Sequence, residues 1–283
     1  MSSPFETILL AHDLSSRSDR PARRAAQLAD RCEARLVALH VIDADQNRVV
    51  PSYRIDALRE TLSARLPPAG SPVELQIACG PTSRIVPEVA ERIGADLIVT
   101  GVTRYDEFGD YFLGTTVHRI VRHAGAPVLV VKREPEFEYD KIVVGTDFSE
   151  CSANALRVAA AQFPRARLTL LHAFHVPYEG LVSREAHEAE VHDEEQHRLE
   201  TFLKDANLPA EALDRIELLM RYGNTDQVFA EVFAERKVDL VVLGTHGRGG
   251  IGNALLGSTA ETLLSWLDRD VLMVRQPLRR KAE

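Results

Sequence analysis

A basic surplus is missing from this chain, and so is cysteine in any number. Its 283 residues carry 42 acidic against 34 basic side chains, a formal net charge of -8. A general nucleic-acid binder needs a basic face to displace counterions from phosphate, so no nucleic-acid partner is expected. The three cysteines, Cys32, Cys79 and Cys151, are odd in number and show no CxxC or CxxH spacing. They support neither a disulfide framework nor a thiolate zinc site, and small core residues in a reducing compartment are expected. No apolar run approaches the roughly 20 residues of a membrane span. The opening MSSPFETILLAHD has no basic stretch leading into a long apolar one. No membrane partner is expected, and the cytoplasm is the expected location. Glycine is sparse as well, 16 in all, yet five fall between Gly244 and Gly252.

The 45% apolar and 27% charged residues are those of a globular chain with ample core, and the length suits two ordinary domains better than one. A search for internal similarity supports two, because the chain repeats itself. ETILLAHDLSS (Glu6 to Ser16) returns as DKIVVGTDFSE (Asp140 to Glu150), and RLVALHV (Arg35 to Val41) as RLTLLHA (Arg167 to Ala173). VELQIACG, ADLIVTG and APVLVVK return in the same order as IELLMRYG, VDLVVLG and RDVLMVR. The offsets place one insertion of eleven residues in the second copy, between His172 and Gly223. The charged REPEFEYD, Arg133 to Asp140, reads as the linker. Domains are expected at 1–134 and 139–283.

Each copy alternates short apolar, β-branched runs with helix-period stretches. TILLA, LVALHV, LIVTG and VLVVK lack polar alternation, as strands covered on both faces of a parallel sheet do. ANALRVAAAQF and DQVFAEVFAER have helical periodicity, with Ser149 and Thr225 as cap candidates. This alternation predicts α/β architecture: two tandem, doubly wound domains with helices on both faces of each sheet. Ligands in such sheets sit beyond the strand carboxyl ends, where strand order reverses. Asp147 and Gly244 both stand at strand carboxyl ends.

From Gly244 the chain reads G-T-H-G, then nine residues, then G-S-T. A glycine-rich turn feeding a helix start is a recipe for an anion cradle, because unpaired amides and the helix dipole point at the same spot. Ser258 with Glu261 three residues on makes the S-x-x-E pattern of a capping box. The plainer reading is a flexible surface loop with Ser258 as a simple cap, and Asp147 as a turn residue ahead of a helix. Neither GxxxxGK[ST] nor a GxGxxG after the first strand is present.

A strand ending in Asp, the later G-x2-G-x9-G-[ST] and a closing PVLVV-like strand together resemble the universal stress protein family, over essentially the whole chain as two tandem domains. The resemblance implies a five-stranded parallel sheet per domain and, in the ATP-binding branch, a nucleotide held at the strand ends. Carried over by position, Thr146 and Asp147 would contact adenine and ribose, and Ala173 would line the adenine pocket. Leu243, Gly244, Gly247, Gly257, Ser258 and Thr259 would surround ribose and phosphates, and His246 lies within the motif. The implied ligand is ATP, with Mg2+ as its counter-ion. The first copy keeps Gly101, Gly114 and Thr115 but has Arg104 where the second has Gly247, and Asp106, Glu107 and Asp110 follow. The N-terminal domain is therefore expected to bind ATP weakly or not at all; the opposite reading makes Arg104 a phosphate clamp.

Five of the ten histidines lie between His172 and His197. His187, His192 and His197 are spaced by five, which turns a helix by roughly 500° and points successive rings apart. A solvated acidic helix is expected there, a zinc site through His172 and His175 is not. The expected function is ATP binding in a stress response, non-catalytic or with slow hydrolysis. The alternatives are an adenylyl- or phosphoryl-transfer enzyme and a module for a metal or lipid-like ligand. The closing strand of each copy is the expected association edge, pairing the two domains and, by the resemblance, forming a homodimer.

Overall fold

The computed structural model describes residues 5–43, 50–102, 104–105, 111–112, 114–174, 184–246 and 256–275, with backbone alone for 104–105, 111–112 and 184–193. The first repeat runs β1 (Thr7–Ala11), a short 3-10 turn, α1 (Asp19–Cys32), β2 (Arg35–Ile42), α2 (Ser52–Arg65), β3 (Glu74–Cys79), α3 (Thr82–Ile93) and β4 (Leu97–Gly101). It ends with the two-residue strands β5 (Arg104–Tyr105) and β6 (Tyr111–Phe112), then α4 (Gly114–His123) and β7 (Val128–Val131). The second repeat runs β8 (Lys141–Gly145), α5 (Glu150–Gln162), β9 (Arg167–Phe174), α6 (Arg184–Ala206), α7 (Ala210–Leu213) and β10 (Ile216–Tyr222). It closes with α8 (Thr225–Glu235), β11 (Leu240–Gly244), α9 (Ser258–Trp266) and β12 (Asp270–Val274).

Five strands from each repeat merge into one ten-stranded sheet, ordered β10-β9-β8-β11-β12-β7-β4-β1-β2-β3. In this sheet every pairing within a half is parallel, and the junction β7–β12 is antiparallel. The apolar runs read as doubly covered strands are so: Ile8, Leu9 and Leu10 are all buried, as are Val241, Val242 and Leu243. Alternate residues feed two cores. One lies under α1, α2, α5 and α6, the other under α3, α4, α8 and α9. The repeated Asp of ADL and VDL has a shared task. Asp96 accepts the N–H groups of Glu6 and Thr7, and Asp239 those of Asp140 and Lys141, which meets the unpaired amides where each first strand begins.

At the junction, Leu129 faces Leu272, the same position in the two repeats. The strand edges that the sequence marks for association are thus consumed within the chain. Where main-chain pairing runs out, the buried Asp270 takes over: Oδ1 accepts the N–H groups of Lys132 (2.8 Å) and Arg133 (2.9 Å), and Oδ2 accepts the Tyr139 hydroxyl. The Arg24 guanidinium stacks 4.0 Å above the Tyr139 ring and lies 3.7 Å from Asp270. Burial and the adjacent Asp270 charge raise the Tyr139 hydroxyl well above the usual phenol range. The linker, charged in sequence, is therefore bolted to the sheet. Past β7, the fully buried Lys132 ammonium donates to the carbonyls of Leu264 and Leu267, both at 2.6 Å, at the trailing end of α9. Arg275, its counterpart, reaches the Ala124 carbonyl after α4 at 3.4 Å.

Local expectations fare unevenly. Ser149 caps α5, its hydroxyl accepting the Ser152 N–H. Thr225 is the first helical residue of α8 and Asn224 its cap position, so the predicted cap is displaced by one. The insertion appears as length: α6 has 23 residues against 14 in α2.

Candidate functional site

Strand order in the second half reverses between β8 and β11, and the carboxyl ends of these two strands lie side by side. The turn after β8 is built by side chains on main chain. Thr146 Oγ1 accepts the Phe148 N–H at 3.0 Å, and Asp147 Oδ1 accepts the Ser149 N–H at 3.1 Å. Between them Phe148 is held at φ 63°, a left-handed conformation that a bulky residue adopts only when its surroundings impose it. The Phe148 ring lies 4.1 Å from the His172 ring and 5.5 Å from that of Phe202.

The first half repeats the turn with other chemistry. His12 Nδ1 accepts the Leu14 N–H at 2.9 Å, and Leu14 has the same φ of 63°. Asp13 there has one oxygen fully engaged, Oδ1 accepting the Ser15 N–H and hydroxyl and the Ser18 hydroxyl. Burial pushes its carboxyl up, but these bonds outweigh it and hold the group below the usual carboxylate range. In the second half the equivalent hydroxyls are turned elsewhere: Ser152 Oγ meets Thr146 Oγ1 at 3.0 Å and donates to the Ser149 carbonyl at 2.9 Å.

His172 and His40 occupy one position in the two repeats, and each binds the carbonyl that ends the first strand. His172 Nδ1 is 2.8 Å from the Thr146 carbonyl, and His40 Nδ1 is 2.9 Å from that of His12. A carbonyl accepts only, so Nδ1 carries the proton in both. His172 Nε2 faces Glu195 of α6 at 3.3 Å, and Arg198 pairs the other carboxylate oxygen at 2.6 Å. This anchoring role was overlooked in the sequence, although the alignment of LHV with LHA marks it.

On the β11 side Gly244 has a packing reason for being glycine. A Cβ there would lie 3.1 Å from the Cys151 carbonyl carbon and from the Ser152 nitrogen, both in the first turn of α5. Leu243 is a core residue whose side chain covers Gly145, so only its main chain is available at the strand end. Thr245 is buried, with its N–H on the Val274 carbonyl and its own carbonyl accepting the Gly257 N–H at 2.8 Å. This last bond pins the start of α9 beside the β8–β11 crevice. Gly257 is the cap position, extended at φ -62°, and Ser258 is the first helical residue. The predicted capping box is therefore absent, because Ser258 stands one place too far along. The helix offers no partner to the N–H groups of Ser258, Thr259 and Ala260; its first internal bond runs from Glu261 N–H to the Gly257 carbonyl. The Ser258 and Thr259 side chains are exposed.

His246 Nδ1 shares a hydrogen bond with Thr245 Oγ1 at 2.8 Å, and its buried Nε2 has no partner among the described residues. Burial and the charge of Arg275 lower its pKa from the ordinary histidine value. Ala173 points to the α8–α9 side of the sheet, while its neighbours His172 and Phe174 stack on the other side. Thr146, Asp147, Ala173, Gly244, His246, Gly257, Ser258 and Thr259 thus gather at one end of the second half. Gly247 and Arg248 lie outside the described residues, as do Asp106, Glu107, Asp110 and His175. In the first half the backbone of β5 and β6 pairs as an antiparallel ribbon, Arg104 opposite Phe112. A separate concavity of about 500 Å³ lies across the sheet between α5 and α6, lined by residues including Phe148, Arg157, Arg198 and Phe202. Among the described residues, none of the glycine motif borders it.

A family model described as the universal stress protein family matches residues 4–132 and again 138–275. A Staphylococcus aureus (strain USA300) relative, named among the universal stress proteins, is 31% identical over 145 residues, spanning 46% of this chain and 86% of its own. Of solved structures, a Pseudomonas aeruginosa PAO1 protein described as functionally unknown superposes with a TM-score of 0.67 at 19% identity, covering 96% of this chain and 93% of its own. A universal stress protein from Archaeoglobus fulgidus DSM 4304 superposes at 0.65 with 15% identity, covering 98% of this chain and 100% of its own. The two structures speak to the fold alone.

Proposed function

Since both halves of the chain belong to the universal stress protein family, we propose that it is an adenine-nucleotide-binding stress-response protein of the cytoplasm. ATP, with Mg2+, is taken as the ligand, and the C-terminal half as its site. The observation that carries this reading is the bond from Gly257 N–H to the Thr245 carbonyl, which ties the first turn of α9, whose opening amides have no partner within the helix, to the end of β11. Amides and helix dipole there favour a polyphosphate, and a strand-end carboxylate accepts two ribose hydroxyls. Among the described residues the buried Nε2 of His246 has no partner, and a polar ligand at the same place would supply one. The three bonds that occupy Asp13 Oδ1, and the β5–β6 ribbon at the corresponding end of the first half, support a first half with little nucleotide affinity.

The reading is of binding rather than turnover. Calorimetric titration with ATP is expected to give near-unit stoichiometry per chain, and Gly257→Asp to abolish it by placing a carboxylate where phosphate is held. Two equal sites per chain would refute the division of labour between halves. Labelled ATP with Mg2+ is expected to stay intact over many minutes, and sustained turnover at ordinary enzymatic rates would move the assignment to phosphoryl transfer.

A further inference from the structure

Helix α9 is short, nine residues, and a helix of that length is marginal by itself. The N-terminal half holds it at both ends. At the trailing end the Lys132 ammonium binds two otherwise unpaired carbonyls, and Arg133 adds Nε to the Asp268 carbonyl at 2.7 Å and a guanidinium nitrogen to the Asp268 carboxylate at 2.8 Å. In the first turn, His118 Nδ1 of α4 stands 3.5 Å from Glu261 Oε1. His118 and Glu261 are the same position in the two repeats, so they meet across the approximate two-fold axis of the sheet.

These contacts matter because of what α9 presents. A carboxylate in the first turn competes with any anion for the positive end of the helix dipole. The approach of Glu261 Oε1 to His118 gives that carboxylate a partner on α4, outside its own helix. Lys132 places a cation on the negative end and fixes the helix along its axis. We infer that the N-terminal half is the positioning half of the nucleotide site in the C-terminal half, with His118 and Lys132 setting α9 and so the amides that face phosphate. The inference rests on the nucleotide reading above, and neither residue touches the ligand.

The full-length chain is titrated calorimetrically with ATP and with adenosine, as wild type, His118→Ala, Glu261→Gln and the double variant. His118→Ala is expected to weaken ATP binding about two- to five-fold, and Glu261→Gln to tighten it by a similar factor, with adenosine affinity unchanged. On the Glu261→Gln background the His118 substitution is expected to have no further effect. An unchanged ATP affinity in His118→Ala, or an equal loss for adenosine, overturns the inference. A second measurement needs no nucleotide: amide exchange in the ligand-free protein, expected to quicken across α9 but not α8 in His118→Ala and Lys132→Met. Should wild type bind neither ATP nor adenosine, the nucleotide reading fails, and exchange still decides the positioning. Unchanged exchange in α9 overturns it, and if Lys132→Met does not fold, His118→Ala carries the test.

Discussion

An alanine at position 244 would bring its Cβ to 3.1 Å from main-chain atoms of Cys151 and Ser152, which cannot swing aside as a side-chain tip can. Gly244→Ala is therefore expected to cost about 1–3 kcal/mol, read as a lower urea midpoint with an unchanged slope. The sequence makes this glycine look like part of a ligand loop, whereas its own constraint is the approach of α5 to β11. Other single residues were equally opaque. Phe148 at φ 63° is invisible to propensity, since the conformation belongs to a turn closed by the side chain two residues earlier, as at Leu14. Asp147 was legible as a turn residue ahead of a helix, since its Oδ1 accepts the Ser149 N–H before α5. The contrast with Asp13 was not, because it depends on which hydroxyls happen to turn inward. Ser258 shows the limit of motif reading: S-x-x-E is present, but the cap position falls on Gly257.

Lys132 belongs to the scale of elements, because it joins the end of β7 to the end of α9. Burial lowers its pKa to about 8 against the ordinary 10.5, with the Asp270 charge acting the other way. Between these values the unfolded chain holds the proton and the folded one has released it, so stability rises with pH across that window. The contribution is on the order of 3 kcal/mol, by about 1.4 kcal/mol per unit. Tyr139 opposes it higher up. Its folded pKa is raised, so its share is complete below the unfolded phenol value near 10 and declines as pH climbs beyond that. Urea unfolding at pH 7.5, 9 and 10 is expected to show a rise in wild type that Lys132→Met lacks. Strands were readable at this scale because unbroken apolar β-branched runs fit few other roles. The linker was not: Tyr139 sits among charged residues that suggest solvent, and its partner Asp270 is remote in sequence. One clue existed, since Asp270 interrupts the repeat where the first copy has Pro127.

For the whole molecule, a ten-stranded sheet with a buried Asp270 at its seam predicts that the halves unfold together. Trp266, the single tryptophan, lies in α9 and reports the second half, while far-ultraviolet dichroism reports both. The two signals are expected to give coincident urea transitions, and Asp270→Ala to separate them. Removing that carboxylate leaves buried donors without an acceptor, at roughly 1–3 kcal/mol or more. The tandem arrangement was legible from the ordered echoes, and the merging of both sheets was foreshadowed by the apolar closing strands. The exchange of cations between halves was not, because Lys132 and Arg275 look like ordinary strand ends.

The antiparallel seam also decides which way the molecule faces. Strands on its two sides run oppositely, so the crevice beside Asp147 and the one beside Asp13 open at opposite poles. Anything attached at the Asp13 pole therefore leaves the Asp147 end of the sheet uncovered.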